Sequence, residues 1–268
     1  MKFADANLHI AECRHGQMLY NRNCQWIGQS MAVYGEYSEQ EVDVFAQLIQ
    51  PGDVVLEIGT NIGVHAVPLA KLCAPGQFYG FEPQRELCKI ANTNLLLNGC
   101  NNGHVLDYGI GSRNHIAQIS EPDYNVAGNF GGISIPDSDG HGRNIEIRSM
   151  DSLKWIDKLD FIKMDVEGME IDVLTGALKT IAKHRPIIYT ENDRKDKSKH
   201  LIAKLISMKY DCYWHLPNLY SKDNFFKSTI NMFPNIVSLN MLCIPVERDI
   251  KVSNFQVADE SNYWMLAE

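Results

Sequence analysis

The stretch VVLEIGTNIG at residues 54–63 decides the fold of this chain. A short apolar run reaches the acid Glu57, and a glycine turn and an apolar segment suited to a helix follow it. Strand, tight glycine turn and helix in this order begin a doubly wound α/β domain. Gly59 allows a sharp turn at the end of the strand, and Gly63 allows the start of the helix to pack closely. The stretch therefore predicts a nucleoside-type ligand across the strand ends.

The spacing of the glycines indicates which nucleoside binds. A dinucleotide-binding turn has the pattern Gly-x-Gly-x-x-Gly, whereas this turn has Gly-x-x-x-Gly with Glu57 two residues before it. A carboxylate at this place repels a pyrophosphate and attracts a cation. S-adenosylmethionine carries an ammonium and a sulfonium, so the turn favours this cofactor. A structural glycine turn in another α/β protein is the alternative interpretation.

A second acid follows the next predicted strand. The segment QFYGFEP at 77–83 is typical of a strand that ends at an acid and a proline. Glu82 lies about 20 residues beyond the glycine turn, where an acid of a doubly wound fold binds ribose hydroxyls. The alternative interpretation of Glu82 is a solvated loop acid or a helix cap. Its position and spacing together favour the ribose role.

Strands and helices alternate along most of the chain, which predicts a mostly parallel sheet covered on both faces. The first predicted elements are a hairpin at 8–20 and a helix at 38–48. A single helix is expected at about 169–183. No clear helix separates the last two strands, so the final strand is expected to be antiparallel. The predicted sheet strands lie at 54–58, 78–82, 104–108, 160–165, 186–191, 210–215 and 241–246.

Three segments together resemble a known family of enzymes. They are PGDVVLEIGTNIGVH at 51–65, FYGFEP at 78–83 and DFIKMDVEGMEIDVLTGA at 160–177. The chain is similar in these segments to the FkbM family of S-adenosylmethionine-dependent methyltransferases. Shorter segments between 33 and 245 extend the similarity, whereas residues 1–30 add little to it. The family turn often has Asp at the place of Glu57 and Ala at the place of Thr60, and both changes are conservative.

The resemblance implies a Rossmann-like class I methyltransferase fold with a seven-stranded sheet and helices on both faces. It also implies a methyltransferase that acts on a hydroxyl of a sugar, a glycan or a secondary metabolite. The expected domain division is an N-terminal extension with a packing helix at 1–50, the methyltransferase domain at 51–250 and a C-terminal tail at 251–268. The polar, glycine-rich segment 121–143 and the loop 217–238 are expected to line the acceptor pocket.

Polar side chains follow every predicted parallel strand, and ligands of open α/β sheets bind at this edge. We expect Asn61 to bind the methionine carboxylate, Glu82 the ribose and Asp107 the adenine amino group. Asp165 lies at the boundary between cofactor and acceptor. The predicted cofactor-binding residues are Glu57, Gly59, Asn61, Gly63, Glu82, Asp107, Tyr108 and Asp165. The candidates for catalysis at the acceptor are Asp165, Glu167, Glu191 and His215.

A metal site is an alternative interpretation of the same strand ends. Asp165, Glu191 and Asn192 offer three oxygen ligands that suit Mg²⁺ or Mn²⁺. A hydrogen-bonded carboxylate network without a divalent cation is favoured, because such oxygen triads are common by chance. A histidine at a strand end is commonly a packed, hydrogen-bonded residue, and this is the alternative for His215.

Composition narrows the partners and the compartment. The chain has 268 residues, 45% hydrophobic residues and a net charge of −8. The acidic balance disfavours nucleic acid as a partner. No apolar run approaches the roughly 20 residues of a membrane span, and 1–10 lacks the apolar core of a signal peptide. The seven cysteines form no Cys-x-x-Cys pair, which favours free thiols in the cytoplasm. A homo-oligomer stays open.

Two other functions compete with the O-methyltransferase. An RNA methyltransferase can use the same fold, but it would be expected to show a basic face or an added RNA-binding module. A non-catalytic protein can keep the cofactor pocket. The acids at both halves of the predicted site argue against this third function.

Overall fold

The computed structural model describes residues 7–134 and 142–264. The chain begins with the antiparallel hairpin that the sequence predicts, in which β1 (Leu8–Cys13) pairs with β2 (Gly16–Asn21). Two helices follow, α1 (Ile27–Tyr34) and α2 (Glu39–Leu48). The helix predicted at 38–48 is confirmed, whereas the sequence patterns do not predict α1.

A large central sheet follows these first elements. Its parallel strands are β3 (Val54–Ile58), β4 (Gln77–Phe81), β5 (Gly103–Leu106), β9 (Phe161–Met164) and β10 (Ile187–Glu191). Three further strands complete it, namely β11 (Tyr210–His215), β12 (Asn240–Pro245) and the two-residue β13 (Gln256–Val257). The strand order is β13-β11-β12-β10-β9-β3-β4-β5.

The seven predicted strands are all present, and β12 is antiparallel to both of its neighbours, as predicted. The short β13 extends the sheet at one edge by pairing with β11. The sequence analysis does not predict β13, because two residues are too short to show a pattern. The topology is that of a Rossmann-like class I methyltransferase.

The strand order places the ligand-binding crevice. From β3 the chain first proceeds outward to β4 and β5, and it later returns to the other side of β3 with β9 and β10. The order of strands therefore reverses between β3 and β9. Crevices of doubly wound sheets form at such switch points, outside the carboxyl ends of the strands. Glu57 near the end of β3 and Asp165 after β9 lie at this crevice.

Helices cover both faces of the sheet. They are α3 (Ala66–Cys73), α4 (Arg85–Leu97), α5 (Glu170–Thr175), α6 (Leu178–His184) and α7 (Lys195–Ser207). The prediction of a single helix at 169–183 is wrong, because this segment forms two helices, α5 and α6, which are separated at Gly176. A Cβ at Gly176 would lie 2.0 Å from the carbonyl oxygen of Gly111, so the chain needs glycine where this contact is made.

A small second sheet forms beside the carboxyl edge of the central one. It contains β6 (Gly109–Ile110), β7 (His115–Ile119) and β8 (Arg143–Arg148), with β8 in the middle. The isoleucine-containing segments 116–119 and 145–148 lie within β7 and β8. Part of the predicted pocket segment 121–143 lies outside the described residues.

Two apolar cores pack on opposite faces of the central sheet. Neighbouring residues in a strand alternate between them, as side chains of a strand must. Val55 and Phe161 belong to the core that contains Phe45 of α2, whereas Leu56 and Ile162 belong to the other. Both faces are buried, so only the strand ends are open to a ligand.

The N-terminal hairpin is fixed to the central domain by a side-chain amide. Asn94 of α4 accepts a hydrogen bond from the Leu19 amide at 2.6 Å and donates one to the Leu19 carbonyl at 3.0 Å.

All seven cysteines of the chain are buried free thiols. Within the described ranges, none of the helices has both the length and the hydrophobicity needed to cross a bilayer.

Candidate active site

The glycine turn after β3 is shaped by a close backbone contact. Gly59 has φ of +85°, and a Cβ there would lie 1.8 Å from the carbonyl oxygen of Asp165. The turn is thus held against the end of β9 with no space for a side chain. Gly63 has φ of +81°, and a Cβ there would lie 3.1 Å from the Cα of Ala91 in α4. Its close contact is therefore with a neighbouring helix.

Glu82 fixes the next strand end to this turn. One carboxylate oxygen accepts a hydrogen bond from the backbone N–H of Asn61, and the other accepts one from the backbone N–H of Gln84, both at 2.8 Å. Burial raises the pKa of Glu82 to about 7, against the lowering effect of these two hydrogen bonds. Each oxygen retains a lone pair for a further donor. The carboxylate can therefore still bind hydroxyl groups.

Two connected spaces lie along this edge of the sheet. The main cavity has a volume of about 550 Å³ and is lined by side chains from both halves of the sheet. A smaller apolar slot adjoins it, and Gly59, Glu82, Gly131, Asp165 and Glu167 line both spaces. The apolar residues of the slot are Ile58, Phe81, Pro83, Ile110, Ile119, Ile133, Val166 and Met169.

Carboxylates surround one buried lysine in the floor of the main cavity. The Lys163 ammonium lies 3.6 Å from Glu57 Oε1 and 3.5 Å from Asp165 Oδ2. Burial disfavours the charge of Lys163, but Asp165, Glu57, Glu41 and Glu191 outweigh this effect and raise its pKa. The ammonium therefore stays charged, and a single cation is shared by several acids.

Glu57 keeps an unused oxygen in this cluster. Its side chain is 1% exposed, and its Oε2 has no hydrogen-bond partner among the described residues. Burial, followed by the charge of Asp165, raises the pKa of Glu57 to about 8, although Lys163 opposes the shift. A buried carboxylate oxygen without a partner is costly. An ammonium group of a ligand beside this oxygen would favour the ionised form of Glu57 and would give the oxygen a partner.

Glu191 and Glu167 extend the acidic wall. Glu191 Oε2 is also buried and lacks a partner among the described residues. Burial, then the charges of Asp165 and Asp193, raise the pKa of Glu191 well above its usual range. Glu167 accepts a hydrogen bond from the guanidinium of Arg194. Burial and Asp165 nevertheless raise the pKa of Glu167 to about 7.

His215 lies at a neighbouring strand end but is not among the described residues that line the main cavity. Its Nδ1 is 2.7 Å from the Tyr189 hydroxyl, and its ring stacks on Phe255 at 4.7 Å between centroids. Burial lowers the pKa of His215 to about 4. The structure thus places His215 in a packed, hydrogen-bonded position, which is the alternative that the sequence leaves open.

The three residues of the metal alternative do not converge. The side chains of Asp165 and Glu191 line the main cavity, whereas the Asn192 amide donates to the Met241 sulfur at 3.3 Å. Across the two described ranges, no group of three or more His, Cys, Asp or Glu is arranged to hold a metal ion.

Asp107 and Tyr108 lie apart from the other predicted cofactor residues. Asp107 is exposed and lines a separate depression with Arg85 and Lys89. Tyr108 is buried under the guanidinium of Arg148, which lies 4.4 Å from the ring centroid. The next two residues, 109 and 110, do line the apolar slot. The residues after β5 that reach the slot therefore lie two positions later in the chain than the sequence predicts.

Several residues of the cavity wall carry no signal in the local sequence. They come from the N-terminal helices, from the end of the glycine turn, from the segment before β12 and from the C-terminal segment. The segments predicted to line the acceptor pocket contribute Asn129, Gly131, Gly132, Leu219, Ile236, Val237 and Ser238. The wall residues outside those predictions include Trp26, Ile27, Tyr37, His65, Leu239 and Trp264.

The fold and the site together define a class I methyltransferase, and comparisons with known proteins agree. The sequence model of the methyltransferase FkbM domain matches residues 57–212, which is more than half of the chain. The chain therefore belongs to the FkbM family of S-adenosylmethionine-dependent methyltransferases. A search of curated proteins gave no significant match.

Solved structures resemble the chain weakly. The FkbM methyltransferase from Methylobacillus flagellatus is 17% identical with a TM-score of 0.48, and the alignment covers 76% of this chain and 50% of that one. A putative rRNA methylase from Clostridium thermocellum is 14% identical with a TM-score of 0.44, over 78% and 96% of the two chains. Fibrillarin from Aeropyrum pernix, solved with S-adenosylmethionine, is 13% identical with a TM-score of 0.44, over 88% and 93%.

This chain thus spans half the length of the Methylobacillus protein. Identities and TM-scores as low as these do not identify the acceptor of this protein.

Proposed function

We propose that this protein transfers the methyl group of S-adenosylmethionine to a hydroxyl of a sugar, a glycan or a secondary metabolite. The observation that carries the proposal is that the apolar slot and the main cavity share Gly59 and Glu82 in their walls. A nucleoside needs an apolar wall for its base and acceptors for its ribose hydroxyls. The slot and Glu82 offer both, and the main cavity leaves space for a second substrate.

The residues around the glycine turn favour one orientation of the cofactor, with its adenine in the slot and its methionine end in the main cavity. The adenine base would lie between Ile110, Ile119 and Met169 in the slot, and the ribose would donate to Glu82. The methionine end would then pass over Gly59 into the main cavity, where Glu57 Oε2 is free to accept from its ammonium. When bound, the cofactor supplies a methyl group on a sulfonium.

The acidic wall would hold the acceptor beside that methyl group. Asp165, Glu167 and Glu191 line the main cavity, and we retain them as residues that bind and orient the acceptor hydroxyl. Correct placement of the reacting atoms, at about 3 Å and in line, contributes a large part of such a reaction. His215, which is hydrogen-bonded to Tyr189, is not among the described residues that line this wall and takes no part in the proposed step.

The charge of the cavity favours a neutral acceptor. Acidic side chains outnumber Lys163 and Arg194 along its wall, and burial favours the neutral form of Glu57 and Glu191 among them. The whole chain has a net charge of −8, which repels the phosphate groups of a nucleic acid. Trp26 and Trp264 offer aromatic faces of the kind that stack on sugar rings. The seven buried free thiols fit a reducing compartment, and we propose the cytoplasm.

Calorimetry and methyl transfer test the proposal together. S-adenosylhomocysteine is titrated into the protein first, and binding is expected. The protein is then incubated with methyl-labelled S-adenosylmethionine and with methyl glycosides of glucose, mannose, galactose and rhamnose, or with an rRNA hairpin. Label in a glycoside is expected. Label in the RNA alone would support the RNA methyltransferase, and binding without transfer to any acceptor would support the non-catalytic protein.

A further inference from the structure

His65 lines the main cavity and has a buried ring nitrogen without a partner among the described residues. The residue directly follows the glycine turn and precedes α3, and it lines the cavity together with Glu57 and Asn61. Its side chain is buried, with 4% of the residue exposed. Nε2 has no hydrogen-bond partner among the described residues. Buried polar atoms are rarely left unpaired, so this atom is suited to a ligand.

The surroundings of the ring fix its orientation. The ring lies 6.1 Å from that of Tyr37 and meets Phe45 edge-on at 5.8 Å, centroid to centroid. These aromatic contacts hold the imidazole between α2 and the glycine turn. The neutral ring therefore has little freedom to turn away from the cavity.

A backbone contact assigns the ring tautomer. The His65 ring makes a hydrogen bond with the backbone of Tyr37 that raises its pKa. A carbonyl that accepts from a ring N–H has this effect, because it favours the protonated nitrogen. Since Nε2 is the unpartnered nitrogen, the bond is assigned to Nδ1. The lone pair of the neutral ring is then on Nε2, the nitrogen that has no partner among the described residues.

The ring is held in its basic form. Burial, followed by the positive charges of Lys163 and His15, lowers the pKa of His65 well below its usual range. His65 is therefore neutral at pH 7 and able to accept a proton. Tyr37 and Phe45, which pack on the ring, bring no charge to it at this pH.

We infer that His65 is a catalytic residue whose Nε2 accepts the proton of the acceptor hydroxyl during methyl transfer. This inference rests on the proposed O-methyltransferase function. The acceptor oxygen forms a bond to the methyl carbon, and the electron pair of the broken carbon–sulfur bond stays on sulfur. The hydroxyl proton passes to Nε2, and the imidazolium later releases it to water.

Charge and acidity both favour this step. The sulfonium loses its positive charge as the imidazolium gains one, so the net charge of the cavity stays constant. The hydroxyl becomes strongly acidic as the carbon–oxygen bond forms, so a base of low pKa is sufficient. The acids are less suited, because burial favours the protonated form of Glu191, Arg194 already binds Glu167, and Asp165 is paired with Lys163 at 3.5 Å.

Nitrogen NMR of the histidine rings tests the tautomer without any acceptor. The wild-type protein is labelled with ¹⁵N-histidine, bound to S-adenosylhomocysteine and recorded between pH 6 and 8. The His65 signals are assigned by their loss in a His65→Gln variant or by through-bond correlations. We expect an unprotonated Nε2 and a protonated Nδ1 throughout. A protonated Nε2, or a doubly protonated ring, would overturn the inference.

Kinetics with a glycoside that the protein methylates test the role of His65 as the proton acceptor. His65→Gln is expected to lower kcat by about 10²–10⁴-fold while the affinity for S-adenosylhomocysteine stays nearly unchanged. His104→Gln makes the same change at an exposed site on β5 and should keep the wild-type kcat. Nearly normal kcat in His65→Gln, or an equal loss of cofactor affinity, would overturn the inference. If no glycoside is methylated, the proposed function fails, whereas the NMR result still decides the tautomer.

Discussion

The two halves of the candidate site are built in different ways. The cofactor half is compact in sequence, because Glu57, Gly59, Asn61 and Glu82 all lie in or directly after the first two parallel strands, β3 and β4. The acceptor half is assembled from the N-terminal helices, the ends of β9 and β10 and the segments on both sides of β12. One half is thus a local motif, whereas the other exists only after the chain has folded. The comparison can be tested by perturbing each half separately.

The largest effect is expected at Gly59, in the cofactor half. Gly59→Ala should abolish the binding of S-adenosylmethionine, and Gly59→Val should do so as well. The added Cβ would lie 1.8 Å from the Asp165 carbonyl oxygen, so the turn and the end of β9 must separate. Calorimetry with S-adenosylhomocysteine and thermal unfolding measure the two consequences.

Gly52→Ala is the matched control for this change. Gly52 also has a positive φ, of +94°, but nothing lies within 4 Å of a Cβ built there. Both variants strain the backbone, and only Gly59→Ala adds the collision. Normal cofactor binding by Gly59→Ala would show that the turn does not form the cofactor site.

A smaller effect in the same half is expected for Glu82→Ala. Loss of hydrogen bonds to a charged group should weaken cofactor binding by about 1.5–3 kcal/mol, or roughly 10- to 150-fold. The rate at saturating cofactor should change much less, because Glu82 lies at the ribose end of the site. Glu86→Ala removes an exposed acid of α4 and should leave the affinity unchanged. Equal affinities of the two variants would place Glu82 outside the ribose site.

The acidic floor between the two halves should make stability depend on pH. The pKa of Glu57 is about 8 in the folded protein against an ordinary 4.5, so the folded state binds the proton more tightly. The contribution of Glu57 to the free energy of unfolding is fully present below pH 4.5 and is lost as the pH rises towards 8. Glu41 and Glu82, each with a pKa of about 7, act in the same direction.

Thermal unfolding of the cofactor-free protein between pH 5 and 8 measures this slope. Glu57→Gln should flatten it. Glu247→Gln is the control, because Arg185 lowers the pKa of that exposed carboxyl to about 2 and it stays ionised throughout this range. An identical slope in wild type and Glu57→Gln would mean that Glu57 is ionised in the folded protein.

The smallest effect is expected for metal removal, which tests the acceptor half. Treatment with EDTA should leave methyl transfer unchanged, because the Asn192 amide donates to Met241 and does not join Asp165 and Glu191. Asn192→Ala should likewise retain activity. Activity that is lost with EDTA and restored by Mg²⁺ or Mn²⁺ would make these strand ends a metal site.

The sequence by itself determined the doubly wound sheet, its glycine turn and the two acids beside it. These features arise from short segments in which apolar runs, glycine and acid follow one another, so their pattern is visible without the fold. The antiparallel β12 could be predicted in the same way. The division of α5 from α6 at Gly176 could not, because the helical spacing of Leu174, Ala177, Leu178 and Ile181 continues across it.

Only the tertiary structure decided which polar side chains face the cavity. His215 ends a strand and His65 follows the glycine turn after β3, but His215 pairs with Tyr189 while Nε2 of His65 lacks a partner among the described residues. Asp107 and Gly109 differ by two positions, and only Gly109 lines the apolar slot. The direction of a side chain at a strand end depends on the register of that strand and on the elements packed against it. Local sequence does not contain this information, because those elements come from distant parts of the chain.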